Sequence, residues 1–208
     1  MIEYKTKIFT HQPIWDEVEA LPIDSFHWLK LRSEQKPKAF AQLCGVLSQG
    51  LYARLWCFEN NPRTVNTKRD EPVYQDSCLE FFFQPVTGRR EYINIETNSA
   101  GVYLSQFGKG RMRRRFLKEL TSLAPEITVL ENHTGKSGSW GTEIFVPDAL
   151  MAELYQIPYY QTAPGVIRGN FYKCADAAAM PHYAAAFPVG DAVLGFHNPA
   201  AFGKIILT

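Results

Sequence analysis

Acidic and amide side chains recur at alternate positions in two neighbouring apolar stretches of the chain. Glu80 lies in the stretch 78–84, and Asn94 and Glu96 lie in the stretch 92–97. Carboxylates and amides form directional hydrogen bonds, including the paired bonds that vicinal hydroxyl groups can make. Two facing carboxylates could also bind a cation such as calcium, or act as the acid and base of a glycosidase. The residue types therefore leave ligand binding, calcium binding and hydrolysis open.

An antiparallel hairpin would bring these side chains together. Both stretches show the alternation typical of β-strands, and a turn-forming segment, 86–90, separates them. In the register that pairs Phe83 with Ile93, Glu80 faces Glu96 across the ladder. The apolar face would join the core: Leu79, Phe81, Ile93 and Ile95. The opposite face would be polar and aromatic: Glu80, Phe82, Tyr92, Asn94 and Glu96. Facing like charges need a compensating partner, which a ligand hydroxyl, a cation or an arginine would supply.

Flanking residues could extend this polar face. Tyr74 lies just before the first stretch, and its ring offers a flat surface to the C–H face of a sugar. Arg168, Asn170 and Tyr172 alternate along a later predicted strand and therefore share one face of it. Two interpretations follow from that alternation: an extension of the site, or a surface that faces solvent.

Other patterns exclude several kinds of site. The five histidines include no pair at i, i+4, which excludes a zincin-type metal site, and no G-x-S-x-G, phosphate-loop or dinucleotide motif is present. Lys109, Arg111 and the run 113–115 form a basic cluster. Because the net charge of the chain is only +1, this cluster predicts a solvated loop or the start of a helix rather than a nucleic-acid surface.

The whole chain reads as one β-rich domain. Its 208 residues are 46% hydrophobic and 21% charged, which excludes disorder, and no apolar run is long enough to span a bilayer. We predict a single domain over residues 1–208 of the all-β class, a two-sheet antiparallel β-sandwich (jelly-roll or immunoglobulin-like) with a few short helices. The predicted strands are 39–47, 51–59, 78–84, 92–97, 102–107, 127–131, 140–146, 167–174 and 204–207. The predicted helices are 14–21, 115–123 and 148–154, and the predicted loops include 60–71 and 135–139.

The cysteines and the N-terminus bear on the cellular location. Cys44, Cys57, Cys78 and Cys174 form no C-x-x-C pair, and three of them lie in apolar runs, which predicts buried, reduced thiols. The first residues contain no apolar signal segment. Both observations favour a cytoplasmic location.

Several segments, in order, resemble the family 9 carbohydrate-binding modules and the related DOMON-type sandwich domains. The resemblance extends from about Leu51 to the C-terminus and is greatest to the stand-alone bacterial members. The matching segments are 73–82, 92–98, 169–174, His182-Tyr183 and 196–203, with Gly101, Trp140, Ile144 and Pro147 between them. The resemblance implies a β-sandwich that binds sugars and does no chemistry itself.

The resemblance also implies roles for individual residues. Tyr74 would stack on a sugar, Glu80 would accept hydrogen bonds from its hydroxyls, and polar residues on the next strand, Asn94 and Glu96, would complete the site. A second stacking aromatic, usually tryptophan, follows the His-Tyr pair in the family. No tryptophan follows it here, and the candidates in its place are Tyr183 and Phe187. Some members bind calcium structurally, so calcium is a possible cofactor.

We therefore expect non-catalytic binding of a mono- or oligosaccharide, with no nucleic-acid or membrane partner. The candidate ligand-binding residues are Tyr74, Glu80, Tyr92, Asn94, Glu96, Arg168, Asn170, Tyr172, His182 and Tyr183. One alternative is a glycoside hydrolase that uses Glu80 and Glu96. The other is a sandwich that has lost its site and acts as a protein-interaction module.

Overall fold

Strands make up most of the regular structure, as the alternation predicted. The computed structural model describes residues 2–131, 138–191 and 193–208. His133 and most of the predicted loop 135–139 lie outside the described residues. The strands are β1 (Glu3–Thr6), β2 (Ile8–Phe9), β3 (Leu21–Pro22), β4 (Ser25–Phe26), β5 (Lys38–Val46), β6 (Gly50–Phe58), β7 (Cys78–Gln84), β8 (Tyr92–Asn98), β9 (Tyr103–Gly108), β10 (Arg115–Phe116), β11 (Glu126–Glu131), β12 (Ser139–Pro147), β13 (Gly165–Cys174), β14 (Tyr183–Ala185) and β15 (Gly203–Leu207).

The strands form two sheets that pack face to face. The first has the spatial order β1-β15-β13-β7-β8-β9-β10, with β14 on β13 and β4 on β14. The second has the order β11-β12-β6-β5-β2, with β3 on β5. Two pairs, β1 with β15 and β2 with β5, are parallel. Both sheets are therefore mixed, whereas purely antiparallel sheets were expected. The N-terminal strands cause this difference, because they were too short to be recognised by periodicity.

The hairpin of β7 and β8 has the partition of faces predicted from the sequence, in the register that pairs Phe83 with Ile93. Glu80 is paired with Glu96, and Phe83 with Ile93. The predicted apolar face lies in the core between the sheets, where Phe81 stacks on Phe171 with ring centroids 4.8 Å apart. Period-two alternation fixes which side chains share a face, and the apolar set can only be buried in this partition.

The outer face of the first sheet is also buried, which the sequence did not predict. Every residue of β7 and β8 is buried. A second apolar cluster covers this face, and its rings include Phe82, Tyr92 and Tyr172 together with Phe196 and Phe202 from the chain before β15. The polar residues of the hairpin therefore lie at the floor of a covered layer, not on a solvated surface.

Helical structure is limited to short elements. The prediction of a helix after Pro147 is confirmed by α1 (Asp148–Tyr155), which ends where Gln156 adopts a left-handed conformation. The predicted helix 14–21 contains only one 3-10 turn, Trp15–Glu17. The predicted helix 115–123 is wrong, because β10 pairs with β9 there and a 3-10 turn follows. The remaining 3-10 turns are Ser33–Gln35, Val73–Gln75, Leu117–Glu119 and Pro199–Ala201. None of the helices in the described residues is long and apolar enough to cross a membrane.

Candidate functional site

A cavity of about 420 Å³ lies on the outer face of the first sheet. Glu80 and Phe82 of β7 and Glu96 of β8 line it, so the predicted polar face reaches an open space. Tyr74 and Tyr183 also line the cavity. The volume is within the range of roughly 300–1,000 Å³ that is usual for small-molecule sites. Of the predicted residues, the structure therefore brings four together around one cavity.

Asp76 anchors the loop that carries Tyr74. The Asp76 side chain is fully buried, and its Oδ2 accepts hydrogen bonds from the backbone of Val65 and Asn66 and from the side-chain amide of Asn98. Burial alone would raise the pKa of Asp76, but these hydrogen bonds outweigh it and lower the pKa. The ionised carboxylate thus holds the loop against β8 and so places Tyr74 at the rim of the cavity.

Glu80 lies at the floor of the cavity without an ion-pair partner among the described residues. Its side chain is 2% exposed, and the thiol of Cys174 donates a hydrogen bond to its Oε1 over 2.9 Å. Burial, with the neighbouring Cys174 and Glu96, raises the pKa of Glu80 well above its usual range. These surroundings therefore favour a neutral carboxyl group at this position.

Glu96 is positioned by a chain of hydrogen bonds that starts at Arg114. The guanidinium of Arg114 donates to Oδ1 of Asn94, and Nδ2 of Asn94 donates to Oε1 of Glu96 over 2.8 Å. Burial raises the pKa of Glu96 to about 7, although the Asn94 hydrogen bond and the Arg114 charge act in the opposite direction. Asn94 is fully buried beneath the cavity, so it orients Glu96 and does not line the cavity itself.

Aromatic residues form the walls at different depths. Tyr74 is 38% exposed and offers its ring at the rim. Tyr183 shares a hydrogen bond with Asp176, which also lines the cavity. Tyr92 and Tyr172 are fully buried behind the wall: Tyr92 shares a hydrogen bond with His197, and Tyr172 stacks on Phe196.

His197, in the closing segment of the chain, lines the cavity as a neutral ring. Burial is the main cause that lowers the pKa of His197 to about 3, and the positive charges of Arg114 and Arg111 lower it further. A neutral imidazole has one donor and one acceptor nitrogen. Its Nδ1 is used by the hydroxyl of Tyr92 over 2.7 Å, which leaves Nε2 for another partner.

Two of the predicted residues on β13, Arg168 and Asn170, lie away from the cavity. Arg168 donates to the backbone carbonyls of Pro199 and Phe202. Asn170 is fully buried, donates to the carbonyl of Phe187 and accepts from the Phe187 amide. Both side chains hold the chain before β15 against β13. Their alternation with Tyr172 therefore reflects packing of the apolar cluster that covers the outer face of the first sheet.

His182 lies on the core side of the sheet, away from the cavity. Its Nε2 accepts a hydrogen bond from the buried ammonium of Lys173 over 2.8 Å, and its Nδ1 donates to the carbonyl of Met180. Lys173 also forms an ion pair with Glu59 over 3.2 Å. Burial, and then the charge of Lys173, lowers the pKa of His182 to about 4. This cluster closes one end of the sandwich.

Two contacts, of Arg114 and of Trp28, are not marked in the sequence. Arg114 belongs to the basic cluster expected in solvent, yet its guanidinium lies over the ring of Tyr92, 4.0 Å from the centroid. Trp28 packs edge-on against Tyr183, with ring centroids 5.4 Å apart. It therefore supplies, from a distant part of the chain, an indole near the place where the resemblance implied a tryptophan. No local periodicity marks either contact.

One group of side chains could hold a metal ion in the described part of the chain. Cys78, Glu80 and Cys174 place their ligand atoms within 4.8 Å of one another. Calcium takes oxygen ligands, typically six to eight of them, so two thiols and one carboxyl group do not fit it. This group therefore does not fit the calcium that the resemblance left possible.

Comparison with solved structures identifies the fold. A carbohydrate-binding protein from Bacteroides uniformis ATCC 8492 superposes with a TM-score of 0.79 at 22% identity, covering 99% of each chain. A family 9 carbohydrate-binding module from Caldicellulosiruptor kristjanssonii in complex with glucose gives 0.70 at 14% identity, covering 100% of this chain and 96% of the module. A family 9 module from the same organism in complex with cellotriose gives 0.66 at 13% identity, covering 99% and 94%.

Comparison with sequence families agrees with the fold. Among curated proteins, none matches the chain significantly. The model of carbohydrate-binding family 9 matches residues 16–207, which is most of the chain. The fold, a mostly β two-sheet sandwich, is consistent with those modules. The chain belongs to carbohydrate-binding family 9.

Proposed function

We propose that this chain binds a glucose-type sugar, as a monosaccharide or within an oligosaccharide, in the cavity above β7 and β8. The chain binds this sugar without hydrolysing it. The observation that carries the proposal is the position of Glu80 and Glu96, which are paired across the ladder at the floor of a cavity with a tyrosine at its rim. The glucose and cellotriose complexes of the Caldicellulosiruptor modules support the choice of sugar.

The cavity has the two kinds of contact that a sugar requires. The Tyr74 ring can stack on a C–H face, and such a contact contributes about 0.5–1.5 kcal/mol beyond burial. The carboxyl groups of Glu80 and Glu96 can accept hydrogen bonds from hydroxyls, and bonds to an ionised acceptor are about twice as strong as neutral ones. The direct ligand set is therefore Tyr74, Glu80, Glu96 and Tyr183, while Asn94, Tyr92 and Tyr172 support it from beneath.

A panel of sugars tests this proposal. A ligand that binds only the folded state raises the unfolding temperature, so glucose and cellotriose should stabilise the protein more than sugars of other configuration. The screen is run with and without calcium. If no sugar in the panel raises the unfolding temperature or gives heat in calorimetry, the proposal is overturned, and a protein-interaction role replaces it.

Enzyme activity is examined on the same preparation. A hydrolase that uses Glu80 and Glu96 would turn over an aryl glucoside, and either Glu80→Gln or Glu96→Gln would abolish the turnover. We expect no turnover by the parent protein. Turnover that both variants lose would replace binding by hydrolysis as the function.

Other expectations accompany the proposal. We expect a single domain over residues 1–208, a cytoplasmic location, and no nucleic-acid or membrane partner. The net charge of +1 supports the expectation for nucleic acid, since phosphate binding needs an excess of basic side chains.

A further inference from the structure

We propose that Cys78, Cys174 and Glu80 form a binding site for zinc, or for a divalent ion of similar softness, at the floor of the cavity. The three ligand atoms already lie within 4.8 Å of one another. Around a tetrahedral zinc, with Zn–S about 2.3 Å and Zn–O about 2.0–2.2 Å, neighbouring ligand atoms are roughly 3.5–3.8 Å apart. Small side-chain movements would therefore convert the present arrangement into a coordination site.

The strand geometry prepares the site. Cys78 and Glu80 are two residues apart on β7, so their side chains share one face of the sheet. Cys174 is the partner of Cys78 across the ladder between β7 and β13. Because paired strands hold all three backbones in place, little conformational entropy is lost when the ion binds.

The chemistry of the donors selects the ion. Two thiolates with one carboxylate favour zinc and exclude calcium and magnesium, which take oxygen ligands. Cys174 and Glu80 line the cavity, so a fourth position can hold water there, as it does in open zinc sites. The site shares Glu80 with the proposed sugar contacts and adds two sulfur ligands, and its test does not require a sugar.

The groups at the site hold protons that the ion would displace. Burial raises the pKa of the Cys78 thiol to about 12 and the pKa of the Glu80 carboxyl well above its usual range. The Cys174 thiol donates to Glu80 over 2.9 Å and lies 3.5 Å from the carbonyl of Tyr74. Zinc binding would release the three protons to the buffer in exchange for one divalent ion, with the two sulfur atoms and the Glu80 carboxylate as its ligands.

Cobalt(II) titration of the full chain tests the proposal. The protein is reduced, stripped of metal with a chelator and kept free of sugar, so that failure here says nothing about the sugar site. We expect one equivalent of cobalt to bind with a thiolate-to-cobalt charge-transfer absorption, and zinc to displace it. Cys174→Ala and Cys78→Ala should abolish the absorption. Cys44→Ala, which removes an equally buried thiol from the second sheet, should retain it.

A second variant guards against loss of folding. Glu80→Gln keeps the shape of the neutral carboxyl group, so it should fold as the parent does, and we expect it to weaken cobalt binding by more than tenfold. Circular dichroism confirms the fold of each variant before titration. The proposal is overturned if the folded parent shows no thiolate absorption. It is also overturned if folded Cys174→Ala keeps the absorption, or if Glu80→Gln binds cobalt as tightly as the parent.

Discussion

Arg114 fixes the orientation of Asn94. The guanidinium has only donors, so the Asn94 atom that faces it must be the carbonyl oxygen, Oδ1. The amide nitrogen of Asn94 is therefore directed to Glu96 and donates to its Oε1 over 2.8 Å. One arginine from an irregular loop thus sets the geometry of a carboxyl group at the floor of the cavity. Removal of Arg114 would leave several acceptors without a donor.

Arg114→Ala should destabilise the protein strongly. Arg114 also donates to the backbone carbonyls of Tyr92 and Gln106, and buried acceptors without a partner cost about 1–3 kcal/mol each. We expect the free energy of unfolding in urea to fall by about 3 kcal/mol. Arg113→Ala, at an exposed neighbouring position, should change it by less than about 0.5 kcal/mol. Equal effects of the two substitutions would contradict the role of Arg114.

Tyr74→Ala should weaken sugar binding without a large effect on stability. The ring is 38% exposed at the rim, so its loss removes a stacking surface and little of the core. A loss of about 1 kcal/mol corresponds to roughly a fivefold higher Kd in calorimetry. Tyr160→Ala removes a tyrosine that is 61% exposed elsewhere, and it should leave the Kd unchanged. Unchanged affinity in Tyr74→Ala would show that the ring does not contact the sugar.

Sugar affinity should rise with pH around neutrality. Burial holds the pKa of Glu96 at about 7, and a sugar hydroxyl that donates to Glu96 favours the ionised form. Binding should therefore lower this pKa and release a proton, so the affinity increases from about pH 6 to about pH 8 and then levels off. Calorimetry in buffers of different ionisation enthalpy measures the proton. Glu96→Gln should bind more weakly and lose this rise; an affinity that falls with pH would oppose the account.

Acid should destabilise the fold through His182. The folded protein holds its pKa at about 4, below the ordinary value of 6.5, so between these values the unfolded state binds more protons. The stability that neutral His182 contributes is therefore present above about pH 6.5 and is lost as the pH falls towards 4, by about 1 kcal/mol per pH unit.

Urea unfolding between about pH 5 and pH 7 measures this slope. His182→Gln should lower the slope by about 1 kcal/mol per pH unit relative to the parent, because glutamine does not titrate while His197, Glu80 and Glu96 titrate in both proteins. His11→Gln, which replaces an exposed histidine, should keep the slope of the parent. A slope that is the same in all three proteins would assign the acid sensitivity to other groups.

The hairpin was predictable because its information is local. Alternation places Phe81 and Ile95 on one face and Glu80 and Glu96 on the other, and only one partition buries the apolar set. Alternation alone does not distinguish registers two residues apart, because both keep the same faces. These features depend on residues within about twenty positions of one another, and the structure confirms them.

The apolar cluster that covers the outer face of the first sheet was not predictable, because its contacts join segments that are distant in the sequence. Phe196 stacks on Tyr172, and Trp28 packs on Tyr183, across separations that no periodic pattern encodes. Asn170 shares a strand face with Arg168 and Tyr172, which made it a candidate ligand residue. Its side-chain amide instead donates to the backbone carbonyl of Phe187. Arg114 looked solvent-exposed because its neighbours are. In each case tertiary packing overrode the local pattern.

The affinity of Glu80→Gln for glucose is the most direct test of the central claim, that the floor of the cavity binds the sugar. Glu80→Gln keeps the size and burial of the side chain but replaces one carboxyl oxygen by an amide NH2, which cannot accept a hydrogen bond from a sugar hydroxyl, and a buried polar group left without its partner costs about 1–3 kcal/mol. Isothermal calorimetry should show at least about a tenfold weaker Kd for glucose in Glu80→Gln, with the unfolding temperature nearly unchanged. The control Glu126→Gln, at an exposed position on the second sheet, should match the parent. Equal affinity of Glu80→Gln and the parent would contradict the account.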